Sequence, residues 1–197
     1  FIDPKEAQKK LNLPRNPRDY TSIAVTTDDS NDEIVYASSM GDGVIQYKNG
    51  TPVQSYNEKN AFKETAGGYG SGYCYIDGLA FDKNGNLWMT SSEVNHAVLV
   101  LDKAGAWHRL DIEQLRGVYT INDILITSTN DKWIYVPRNT PKLVMIPNSE
   151  SLDEVSSYEF TTLIDTDGKE LTPSNYTCVA EDKDGYIWVG TNRGAVY

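Results

Sequence analysis

The stretch TCVAEDKDGYIWVGT, residues 177–191, decides the fold of this chain, because DGLAFDKNGNLWMT at residues 77–90 is a near-copy of it. In both, a short apolar strand runs into a polar Asp-Lys-x-Gly turn, and a second strand carrying a Trp follows at once. Asn84-Gly85 and Asp184-Gly185 are expected to supply the two positive φ values of a type I′ hairpin. A third copy, NDILITSTNDKWIY at residues 122–135, keeps Trp133 and replaces the turn Gly with Asp131. A weaker copy at residues 21–38 has lost the Trp and lengthened the turn. Anchored on Ile23, Leu79, Ile124 and Val179, the copies step by 56, 45 and 55 residues. Propeller blades repeat every ~40 to 50 residues, so the steps fall near or just above that period.

Working outward, each copy continues into a third apolar strand. These are Val44-Ile45-Gln46-Tyr47, Ala97-Val98-Leu99-Val100-Leu101 and Lys142-Leu143-Val144-Met145-Ile146. A fourth follows in three copies, at residues 53–56, 107–110 and 158–163. Four antiparallel strands per repeat make an all-β chain, a β-propeller with four strands per blade. The last copy reaches only its third strand, so the chain is expected to be a partial segment of a larger propeller. Trp88, Trp133 and Trp188 are expected to fill the wedge between neighbouring blades, since a structural repeat copies its core residues. The expected division is a lead-in segment, residues 1–19, and propeller blades, residues 20–197. Asp3 as N-cap, Pro4 at the first helical position and Glu6 place one short helix through about Leu11 in the lead-in. The Pro14 to Pro17 stretch ends it.

The chain has 197 residues, 39% hydrophobic and 11% aromatic, enough apolar matter for a packed core. Eighteen Lys and Arg against 28 Asp and Glu give a net charge of −10. Phosphate backbones require clustered cations, so nucleic acid and anionic membrane are disfavoured as partners. No apolar run reaches the ~20 residues of a membrane helix, so no direct membrane insertion is expected of this segment. The chain begins at Phe1 and reads as a mature or trimmed segment. Cys74 and Cys178 are too few for a disulfide framework.

The stretch at residues 171–194 resembles the two-component regulator propeller repeat, as does DGLAFDKNGNLWMTSS at residues 77–92. The order of the degenerate copies, with Gly105-Ala106-Trp107-His108 preceding Lys132-Trp133-Ile134, is similar to the second half of the PorZ-type propeller proteins of the bacterial type IX secretion system. That resemblance implies an exported protein of Bacteroidota-like bacteria, in the periplasm or at the cell surface. It also implies possible partners: a glycan or lipopolysaccharide, and proteins of the secretion system.

Catalytic signatures fail. His96 and His108 lie outside any zinc-binding spacing, and Tyr69-Gly70-Ser71-Gly72-Tyr73 is not a nucleophile elbow because both outer positions are Tyr. The acidic turns start like calcium loops, but a Gly at position six and a Glu at position twelve never occur together. No cofactor and no metal is expected. The strand entrances carry Thr21, Asp77, Asn122 and Thr177, two residues before each anchor, where they would ring one mouth of a central channel. Such side chains cap strand starts, and oxygen atoms there also suit a polar ligand. The loop GGYGSGYCY, residues 67–75, sets three tyrosines on a glycine frame. It is a connector between blades and also the best candidate for stacking on sugar rings, with Tyr69, Tyr73, Tyr75, Asp77 and Asn122 as the candidate ligand site.

Three functions follow. The first is a non-enzymatic binding and scaffold propeller that, as the resemblance implies, assists delivery of anionic lipopolysaccharide to secreted cargo. The second is the periplasmic oligosaccharide-sensing propeller of a hybrid two-component regulator. The third is a propeller lyase or lactonase.

Overall fold

The computed structural model describes residues 3–13, 17, 19–62, 72–164 and 167–197. Helix α1 (Pro4–Leu11) starts on Asp3, whose carboxylate accepts the Lys5 N–H, and stops at Asn12 in the left-handed region, φ 51°. This is the helix expected from the sequence; residues 14–16 of the stretch thought to end it lie outside the described residues.

Three four-stranded antiparallel units and one three-stranded sheet follow, the first two units being joined into one eight-stranded sheet where Met40 and Gly41 pair with Tyr75 and Cys74. The first holds β1 (Tyr20–Thr27), β2 (Glu33–Gly41), β3 (Gly43–Lys48) and β4 (Thr51–Tyr56). The second holds β5 (Cys74–Phe81), β6 (Leu87–Ser91), β7 (Val98–Leu101) and β8 (Trp107–Leu110). A 3-10 turn at Glu113–Leu115 leads to the third sheet: β9 (Ile124–Ile126), β10 (Lys132–Val136), β11 (Lys142–Ile146) and β12 (Tyr158–Phe160). A two-residue hairpin, β13 (Leu163–Ile164) with β14 (Glu170–Leu171), precedes the last sheet of β15 (Tyr176–Glu181), β16 (Ile187–Thr191) and β17 (Gly194–Val196). The strand expected over residues 158–163 therefore breaks: Leu163 pairs with Leu171 and leaves the third sheet.

Register makes the repeat explicit. Trp88 faces Ala80, Trp133 faces Leu125 and Trp188 faces Ala180, in each case one residue after the anchor. The three tryptophans thus hold equivalent positions, and Tyr36, opposite Ala24, takes that place in the first sheet. Trp88 is 1% exposed among Val98, Val100 and Ile112 of its own repeat and Ile124, Ile134 and Val144 of the next. Lys132 of the third sheet lies over its ring, 4.5 Å from the centroid. Trp133 stacks on Phe160 at 5.6 Å and packs toward Tyr176, Val179 and Val189 of the fourth sheet. Tyr36 packs toward Phe81 of the second sheet at 5.9 Å. Each sheet thus buries one face against the next, the arrangement of blades in a β-propeller. Helix α1 covers the opposite face of the first blade, with Ala7 and Leu11 on Ala37, Ile45 and Tyr47.

The turns differ from expectation in three respects. Only Gly85 (φ 83°) and Gly185 (φ 86°) are left-handed; Asn84 and Asp184 are not, so these are not type I′ turns. They are type I turns closed by a Gly residue, with the Gly85 N–H bonded to the Asp82 carbonyl at 3.0 Å. The cause is the Asp side chain: Asp82 Oδ1 accepts the N–H groups of Asn84 and Asn86, both at 2.9 Å, which holds Asn84 right-handed. In the third copy the glycine position is filled by Asn130 at φ 69°, and Asp131 sits one residue later. The first copy has a turn of the same length, Asp28 to Asp32, with Asn31 at φ 63°. What is longer there is the paired stretch between the Tyr36 position and the turn, Val25 to Thr27 against Glu33 to Val35, where the second copy has only Phe81 against Leu87.

Candidate functional site

The innermost strands β1, β5 and β9 lie side by side. At Gly78 the approach is so close that a Cβ would stand 2.8 Å from the Ile124 amide nitrogen and 2.9 Å from Asp123 Cα. The second strands stitch this junction. Ser38, Thr90 and Tyr135 occupy equivalent register positions, and each supplies a hydroxyl. Thr90 accepts the Gly78 N–H and donates to the Asn122 carbonyl, both at 2.8 Å. The Tyr135 hydroxyl donates to the Thr177 carbonyl at 3.1 Å. Ser38 bonds Thr21 at 2.8 Å, and Thr21 donates to the Ile76 carbonyl at 2.6 Å. The sequence hides this device because the three residue types differ and the fourth copy has Gly190 there.

The strand-entrance residues of the sequence alignment are part of that network. Asp77 Oδ2 accepts the Ser92 hydroxyl at 2.6 Å, and Ser92 Oγ in turn accepts the Ile121 N–H at 2.8 Å. The Asn122 amide donates to the Tyr135 hydroxyl at 3.1 Å. Two bridges therefore cross between the blades side by side: Ser92 links the Asp77 carboxylate to the Ile121 amide, and Thr90 links the Gly78 amide to the Asn122 carbonyl. Burial pushes the Asp77 carboxyl up to about 7, and Asp123 on the next blade pushes the same way against the Ser92 hydrogen bond. Burial likewise raises Asp123.

Tyr73 and Tyr75 meet edge to face with ring centroids 6.3 Å apart. Burial raises the Tyr75 phenol, followed by the charge of Asp77, with Tyr73, Tyr119 and Glu93 contributing in the same direction. The structure thus brings Tyr73, Tyr75 and Asp77 together, while the side chain of Asn122 turns to Tyr135; Asn122 follows Ile121, the residue bridged to Asp77 by Ser92. Tyr69, with residues 63–71, lies outside the described residues. Tyr119 and Glu93 were missed by sequence reasoning. Glu93 has left-handed φ, 63°, and a buried Oε1 with no hydrogen-bond partner among the described residues, and neither property has a local sequence signal.

The acidic turns hold their own oxygens fully. Besides its turn amides, Asp82 accepts the Trp88 indole N–H at 2.9 Å, and Asp182 accepts that of Trp188 at 2.7 Å. Among the described residues no group of three or more His, Cys, Asp or Glu side chains could hold a metal ion. His108 bonds Asp102 at 3.0 Å in another such turn. Cys74 is buried and Cys178 exposed, and both are free thiols.

The family model described as the two component regulator propeller matches residues 170–193. No curated protein matches the chain in sequence. Among solved structures the chain is similar to PorZ, a bacterial surface component of the type IX secretion system of Porphyromonas gingivalis. That match has a TM-score of 0.82 at 20% identity and covers 98% of this chain and 26% of PorZ. It is also similar to the extracellular domain of a hybrid two component system protein of B. thetaiotaomicron, with a TM-score of 0.56 and 19% identity over 87% of this chain and 20% of that one. The virginiamycin B lyase of Staphylococcus aureus matches with a TM-score of 0.56 and 13% identity, over 91% of this chain and 52% of the lyase. The chain spans about a quarter of the length of PorZ. It is a run of β-propeller blades, the last of which carries a two component regulator propeller repeat.

Proposed function

We propose that this chain belongs to an exported, non-enzymatic propeller that binds and scaffolds at a bacterial surface, in the manner of the secretion-associated propellers it resembles. Residues 1–19 serve as its lead-in and residues 20–197 as its blades. The ligand is a glycan, seated on Tyr73, Tyr75 and Tyr69 beside Asp77 and Asn122. The observation that carries this reading is the Tyr73–Tyr75 pair standing at a blade entrance whose backbone is held by the first blade, where Met40 and Gly41 pair with Tyr75 and Cys74 and the Thr21 hydroxyl donates to the Ile76 carbonyl. Rigid rings on a fixed frame lose little entropy when a sugar stacks on them. Delivery of an anionic lipopolysaccharide to secreted cargo is the role this binding would serve.

Replacing Tyr69 and Tyr73 together by Ala should weaken glycan binding by ~1 to 3 kcal/mol, the scale of aromatic anchors. The thermal midpoint should not change. Unchanged affinity in titration calorimetry would reduce the loop to a connector. Substituting His96 and His108 by Ala should leave function intact; loss with retained fold would favour an enzyme.

A further inference from the structure

Tyr119, which neighbours Tyr75 electrostatically, also lines a cavity of about 450 Å³ between the Glu113 to Tyr119 connector and the turn joining β10 to β11. Three of the chain's 18 Lys and Arg residues face this one cavity: Arg116, Arg138 and Lys142. In a chain of net charge −10 such a convergence is unusual. Two of the three are already neutralised. Arg116 binds Asp111 through two hydrogen bonds at 2.6 and 2.5 Å, and Lys142 binds Glu159 at 2.7 Å. Arg138 has no ion-pair or hydrogen-bond partner among the described residues, and it is exposed. The turn that presents it is strained: Thr140 has φ 120°, a region that a β-branched side chain adopts only when its surroundings impose it.

We propose that this cavity is a subsite for a singly charged oxyanion, a carboxylate or a phosphodiester, held on the fork of the Arg138 guanidinium with the Tyr119 ring as one wall. The planar fork matches either group through two parallel N–H donors. The charge count selects a monoanion. Arg116 and Lys142 are paired internally and Glu113 shares the lining, so Arg138 alone faces the ligand without a direct partner and the local charge balance opposes a second negative charge. The subsite does not depend on the glycan reading: the two share only Tyr119, and the group that holds the anion, Arg138, lies outside the glycan site.

The test titrates the wild-type chain with glucuronate, glycerophosphoglycerol and glucose at low salt, followed by NMR of the backbone amides. Binding of glucuronate alone assigns a carboxylate subsite, and binding of glycerophosphoglycerol alone a phosphodiester one. In either case Arg138→Gln should weaken binding at least tenfold without changing the thermal midpoint, and glucose should not bind. Arg138→Lys keeps the charge but loses the fork, so it should bind between the two; it also serves as the readout if Arg138→Gln fails to fold. Failure of both anions to bind the wild type, or equal affinity in the Arg138 variants, overturns the proposal. The Tyr69 and Tyr73 double variant should bind the anion as the wild type does, which separates this result from the fate of the glycan site.

Discussion

Asp77 carries a titration that the fold itself pays for. Its carboxyl is raised from 3.8 to about 7, chiefly by burial, so the folded state favours the protonated form. Stability from this group is therefore fully present below the unfolded value near 3.8 and is lost as pH rises through about 7. At about 1.4 kcal/mol per unit the full shift corresponds to roughly 4 kcal/mol, and partial exposure reduces it to about half. Asp77→Asn keeps an acceptor for Ser92 and removes the charge. The variant should be more stable than the wild type at pH 8, with the gap closing toward pH 4 in urea denaturation; a constant gap would refute the assignment. The tryptophans give a second contrast at this scale. Trp88 is 1% exposed and Trp188 39%, although they hold the same register position. Trp88→Ala should cost about 3 to 5 kcal/mol, as for a fully buried ring, and Trp188→Ala much less.

At the scale of elements, glycines 78 and 85 separate steric from conformational constraint. Gly85 has room for a methyl group, the nearest atom lying 3.5 Å away, but its φ of 83° is left-handed. Gly78 has no such φ, yet its neighbours on the next blade's backbone leave no space. Gly85→Ala should cost about 1 kcal/mol through the backbone alone. Gly78→Ala should cost about 1 to 3 kcal/mol by forcing blades apart, and should also lower the protection of the Ile124 amide in hydrogen exchange. A larger loss at Gly85 than at Gly78 would contradict this ranking. The same elements show why the sequence was readable in part. Trp88, Trp133 and Trp188, the anchors and the Asp-Lys-x-Gly turns recur in type as well as position, so the strands and the repeat could be read directly. The turn class was not legible, because it depends on whether the Asp82 side chain reaches the amides of Asn84 and Asn86. The stitching hydroxyls of Ser38, Thr90 and Tyr135 were equally hidden, since three different side chains perform one task. Of the candidate site, Tyr75 and Asp77 were found from the loop and the alignment. Tyr119 was not, because its place depends on a connector with no repeat counterpart.

At the scale of the whole molecule the two outer faces of the blade stack are unlike. On the first blade, helix α1 covers Ala37, Ile45 and Tyr47, although Ile23 and Val25 remain 58% exposed. On the fourth, Tyr186, Trp188 and Tyr197 stand 56%, 39% and 75% exposed, on the face that an inner blade buries against its neighbour. The rings already cluster, with Trp188 4.7 Å and Tyr186 5.6 Å from Tyr197. Contiguous aromatic surface beside an edge strand promotes association, because burying it releases water while the edge offers unpaired backbone groups. The 197-residue chain should therefore self-associate at high concentration through the fourth blade, and a further blade placed against that face should suppress the association. Trp188→Ser combined with Tyr197→Ser should raise the monomer fraction in analytical ultracentrifugation. The pair Ile23→Ser and Val25→Ser should have a smaller effect, since aliphatic side chains flanked by a covering helix offer less area than three clustered rings. An equal response from both faces would show that the helix does not protect the first blade, and that the asymmetry of the stack has no consequence in solution.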